Sequence, residues 1–88
     1  MFKNKNQSRN NICGERIAEL RGTLLPYISQ RALAEKLQLQ GLDLDKNAVQ
    51  RIESGQRFVT DIELLAFSNI FKITADELLR TPDLKKDN

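Results

Sequence analysis

The chain has 88 residues, 40% hydrophobic and 30% charged, with a formal net charge of +2. That length is expected to form one small domain with a single core and to leave no room for a separate effector-sensing domain. One cysteine and no histidine exclude an internal disulfide and a thiolate–imidazole pair, and no apolar run reaches the roughly 20 residues that span a bilayer.

Residues 1–10 (MFKNKNQSRN) are polar, basic and aperiodic, so a disordered basic arm is expected, with Lys3, Lys5 and Arg9 chiefly keeping it soluble. The domain proper is expected over residues 11–81. A first helix should run from Asn11 or Ile12 to about Leu25, because Cys13, Ile17, Leu20 and Leu24 share one face and Pro26 stops the helix. On that face Cys13 is a small core residue and not a reactive thiol.

Four further starts share one grammar. Ser29, Asp45, Thr60 and Thr74 each offer a capping oxygen between two apolar residues, Ile28/Leu33, Leu44/Val49, Val59/Leu64 and Ile73/Leu78. Glu63 and Glu77 complete capping boxes with the two threonines. The helix after Ser29 buries Leu33, Ala34 and Leu37 and ends near Gly41. The segment Gly41-Leu42-Asp43-Leu44 reads as a loop with both leucines tucked beneath the domain. The helix after Asp45 buries Val49 and Ile52, stops at Gly55, and exposes Lys46, Asn47, Gln50 and Arg51. The helix after Thr60 is apolar on most faces and is expected to be the central, most buried one. The last helix contributes Leu78 and Leu79 and ends by Thr81, before a tail over residues 82–88.

Catalysis is not expected. No glycine-rich phosphate loop or Cys/His metal spacing occurs, so neither cofactor nor metal is expected, and without a signal-peptide or membrane segment the location should be cytoplasmic. Charge is unevenly distributed. Residues 1–60 hold ten Lys/Arg against six Asp/Glu, a balance of +4, whereas residues 61–88 hold four against six, a balance of −2. A basic front suits approach to a polyanion. The exposed side chains of the third helix suit a DNA major groove: Arg and Lys donate to guanine, while Asn and Gln make paired bonds with adenine.

The blocks Ser29-Gln30, Leu33-Ala34-Glu35-Lys36-Leu37 and Val49-Gln50-Arg51-Ile52-Glu53-Ser54-Gly55-Gln56-Arg57 resemble the helix-turn-helix of the Cro/C1-type (XRE) DNA-binding proteins. Asp61-Ile62-Glu63-Leu64-Leu65-Ala66 and Ile73-Thr74-Ala75-Asp76-Glu77-Leu78-Leu79 resemble that family's fourth and fifth helices. The resemblance implies an all-α, compact five-helix lambda-repressor-like domain. It also implies a transcriptional regulator that binds double-stranded operator DNA, often as a homodimer. By position it assigns base reading to Lys46, Asn47 and Arg51, with Gln50 added, and phosphate contacts to Gln30 and Arg57. Arg21 and Glu53 match a structural ion pair that clamps the first helix to the third. Two connections, Arg21 to Ser29 and Leu37 to Ile52, are longer than the family's usual spacing. The competing expectation is an antitoxin-like or adaptor module that uses the same helices against a protein partner, with Phe67 or Ile70 as its apolar contact.

Overall fold

In a computed structural model of the chain, residues 8–24 and 26–80 are described. They form five helices and no strand: α1 (Gly14–Thr23), α2 (Gln30–Leu39), α3 (Lys46–Glu53), α4 (Asp61–Phe71) and α5 (Ala75–Leu79). Residues 1–7, Leu25 and the 81–88 segment lie outside the description, and with them Lys3, Lys5, most of the expected arm and the tail; the last helix ends at Leu79, before Thr81 as expected.

Local chemistry sets four of the five starts. The Ser29 hydroxyl accepts from the Ala32 N–H at 3.0 Å, and the Asp45 carboxylate accepts from the Ala48 N–H at 2.8 Å. Thr60 and Thr74 form complete capping boxes with Glu63 and Glu77. Each cap satisfies donors that have no partner inside the helix and is worth about 1 kcal/mol. α1 is the exception. Cys13 precedes it without a side-chain cap, and the Asn11 side chain instead accepts from the Gly14 N–H at 2.8 Å. The helix therefore starts later than the apolar spacing suggests, and it ends at Thr23 with Leu24 already extended.

The long connection between α2 and α3 is a loop, not an extra helical turn. Gly41, at φ +88°, reverses the chain after Leu39, while the Leu42 N–H returns to the Leu37 carbonyl at 3.1 Å. Leu44 is buried and Leu42 packs against the core. The Gln38 amide donates to the Leu44 carbonyl at 3.0 Å, closing the loop on the end of α2.

α3 packs against both α1 and α2, α2 also touches α4, and α5 lies on α1 and α4. Ile17, Leu33, Leu37, Val49, Ile52, Phe67 and Leu78 are fully buried between them. Each such side chain contributes about 1.5–3 kcal/mol relative to exposure. Cys13 lies in the same core, and burial, the largest influence on its thiol, pushes its pKa up to about 11. No helix among the described residues is long and apolar enough to cross a membrane.

α4 corrects an expectation. Its inner face buries Ala66, Phe67 and Phe71, but Ile62 and Leu65 are 66% and 60% exposed. It is thus buried on one side only and has an open apolar face, because apolar residues on most sides conceal which side has a neighbour.

Two glycines of α1 give opposite predictions. A Cβ on Gly14 would sit 2.1 Å from the Ile52 carbonyl oxygen, whereas one on Gly22 meets nothing within 4 Å. Gly14→Ala should destabilise the domain by about 2 kcal/mol or more, and Gly22→Ala should stabilise it by up to about 1 kcal/mol, as read by urea unfolding. Effects of the same sign would contradict this packing of α1 on α3.

Candidate functional site

α3 has two faces with different tasks. Ala48, Val49 and Ile52 are buried, while Lys46, Asn47, Gln50 and Arg51 are exposed. None of the ion pairs among the described residues uses Lys46 or Arg51. The structure thus brings the four expected base-reading residues together on one outward surface.

The back of α3 is held at Glu53, its last residue. Arg21 Nε donates to Glu53 Oε2 at 2.8 Å and Arg21 Nη2 to Oε1 at 3.0 Å, a forked pair with side chains 13% and 8% exposed. Gln30 Nε2 from the start of α2 also donates to Oε1, at 2.9 Å. The remaining Arg21 nitrogen donates to the Tyr27 hydroxyl at 2.9 Å and to the Ile28 carbonyl at 3.2 Å. Its guanidinium carbon lies 5.6 Å from the Tyr27 ring centroid, within cation–π range. These bonds hold the Arg21 pKa above its usual value, the Glu53 hydrogen bonds being the largest cause. One carboxylate therefore fixes α3 to α1 and α2 at once. The expected Arg21–Glu53 clamp is present, but Gln30, expected at a phosphate, is a member of the same cluster.

The carboxyl end of α3 is secured by Arg9 and Asn10, from the expected arm, and by Asn11 beside it. Arg9 Nη2 donates to the Glu53 carbonyl at 2.8 Å, and Asn11 Nδ2 to the carbonyls of Ile52 and Arg57 at 3.0 and 2.7 Å. The Asn10 N–H donates to the Gly55 carbonyl at 2.8 Å. Carbonyls at a helix end lack internal partners, and a cation there also suits the helix dipole. Arg9 lies where a side chain on Gly55 would be, 2.8 Å from the position of its Cβ, and Gly55 itself turns at φ +86°. Arg9 and Asn10 thus belong to the folded domain, because backbone acceptors hold them. No periodicity marks such polar residues in sequence.

Arg57 is likewise engaged within the fold. Its two terminal nitrogens donate to Glu63 Oε1 and Oε2 at 2.9 and 3.0 Å, and Nη1 also reaches the Phe58 carbonyl at 3.0 Å. The guanidinium fork expected at a DNA phosphate is occupied by the capping-box carboxylate of α4. Burial alone would raise the Glu63 pKa, but the Arg57 hydrogen bonds, followed by the Thr60 N–H, outweigh it and hold the group below the usual carboxylate range.

No protein-family model, curated protein or solved structure matches this chain.

The Arg57–Glu63 pair predicts a pH-dependent stability. A carboxylate with a lowered folded pKa stabilises the fold above the unfolded-state pKa, and this contribution disappears as pH falls through the folded value. Glu63→Gln should therefore cost stability near neutral pH, by about 1–3 kcal/mol, with a gap that narrows as pH falls below the usual carboxylate range in urea unfolding series. A gap independent of pH would refute the pairing.

Proposed function

We propose that the protein is a sequence-specific, double-stranded DNA-binding transcriptional regulator of the Cro/C1 type, with a lambda-repressor-like fold and α3 in the major groove. The observation that carries this reading is the polar surface Lys46, Asn47, Gln50 and Arg51, exposed on a helix fixed from behind. Base edges require donors and acceptors held in register, and the Glu53 cluster supplies that rigidity without using the outward side chains. The resemblance of the blocks around Ser29, Val49 and Asp61 supports the same reading. Affinity would come mostly from phosphates and specificity from α3. Paired copies on a palindromic site would place their α3 helices about 34 Å apart.

A second reading is an antitoxin-like or adaptor module bound to another protein. Phe58, Ile62 and Leu65, between 52% and 66% exposed, favour it. Phe67, expected as an apolar contact for such a partner, is fully buried, and Ile70 is half-buried against the core. Co-purification of one heterologous protein in stoichiometric amount, without duplex binding, would support this second reading.

Selection from a random duplex pool separates the two. The expected result is an enriched sequence whose symmetry reports one or two copies. Arg51→Ala should then cost about 1–3 kcal/mol and relax preference at one position. Arg57→Ala should lower folding stability while leaving the preferred sequence unchanged. Failure to enrich any duplex, or an unchanged preference in Arg51→Ala, would overturn the DNA reading.

A further inference from the structure

An open cleft of about 540 Å³ lies beside the amino end of α3, lined by Arg21, Tyr27, Ser29, Gln30, Arg31 and Lys46. Three of these are committed to the fold. Arg21 and Gln30 bind Glu53, and the Ser29 hydroxyl caps α2. The other three are placed differently. The Tyr27 hydroxyl accepts from Arg21, which leaves its own hydrogen to donate. Arg31 and Lys46 are exposed and take part in none of the ion pairs among the described residues. No carboxylate lines the cleft. Of the acidic residues near these in the chain, Asp45 caps α3, Glu53 is paired with Arg21 and Glu19 with Arg16, while Glu35 and Asp43 are exposed and lie outside the lining.

A wall that combines two cations, outside any ion pair among the described residues, with a phenol donor, and presents no acidic group of its own, favours an anion. We infer that this cleft seats a backbone phosphodiester of duplex DNA, held by Arg31, Lys46 and the Tyr27 hydroxyl. The inference rests on the DNA reading above and changes two of its roles. Lys46 becomes a phosphate contact at the edge of the groove, leaving base reading to Asn47, Gln50 and Arg51. Arg31 and Tyr27 take over the anchoring expected of Gln30 and Arg57, whose polar groups the fold employs. The long connection between α1 and α2 thereby acquires a task, since Tyr27 lies within it.

The test uses the full chain, the selected duplex and a scrambled duplex, with Kd measured across a range of salt concentrations. Arg31→Ala and Lys46→Ala should each weaken both duplexes by the same factor. Each should also lower the slope of log affinity against log salt by about one, as expected for loss of one phosphate contact. Tyr27→Phe should weaken both duplexes several-fold with the slope unchanged, because it removes a donor and no charge. If Arg31→Ala leaves the slope intact, or Lys46→Ala changes the preferred base at one position, the inference fails while DNA binding stands. A second arm titrates inorganic phosphate at low salt and follows the amides of residues 29–31 and 46. Shifts abolished by Arg31→Ala support the cleft even for a chain that binds no duplex, and then identify free phosphate as its anion; absence of shifts at these amides counts against the site.

Discussion

The Glu53 carboxylate is the interaction on which the arrangement depends. It takes hydrogen bonds from Arg21 of α1 and Gln30 of α2 while sitting on the last residue of α3. A buried ion pair gains little net stability, because desolvation offsets attraction, but removal of one partner leaves an uncompensated charge and costs about 3–5 kcal/mol. The pair therefore acts mainly through geometry. It permits one relative placement of three helices, and the hydrogen-bond capacity around it is filled: among the described residues no buried side-chain polar atom lacks a partner.

The same cluster explains how two surfaces meet. Behind α3, Glu53 holds Arg21, and the guanidinium in turn holds the Tyr27 hydroxyl beside the cleft. In front, the polar face points away from the core. Arg9 and Asn11 add restraint at the carboxyl end, so α3 is anchored at both termini: Asp45 caps its start and residues from the amino-terminal side close its end. The short helix, only eight residues, would be marginal alone. Tertiary restraints give it a fixed direction.

Much of this was legible in the sequence because capping is local chemistry. Ser29, Asp45, Thr60 and Thr74 act within three residues, so their spacing alone located four helix starts. Leu42 and Leu44 likewise revealed themselves as apolar residues in a turn-rich loop. Interactions distant along the chain were less accessible. Arg21 and Glu53 are 32 residues apart, and only the family resemblance paired them. Arg9 bonds to a carbonyl 44 residues away, and carbonyls leave no trace in residue type. The Arg57–Glu63 pair is hidden in the sequence because Glu63 already has a role as a cap; a carboxylate with two oxygens can cap a helix and accept a guanidinium fork together. The open face of α4 was hidden for another reason: Ile62 and Leu65 have the same apolar character as the buried Phe67, and only packing distinguishes them.

The central claim is that the Glu53 cluster presents α3 to a duplex. Amide chemical-shift mapping of the full chain with a selected duplex tests it most directly. The account predicts perturbations concentrated at residues 27–31 and along the exposed face of α3, at residues 46, 47, 50 and 51, with Ile62 and Leu65 of α4 unaffected in a single bound copy. Perturbations centred on Phe58, Ile62 and Leu65 that spare α3 would contradict it and identify the apolar face of α4 as the working surface.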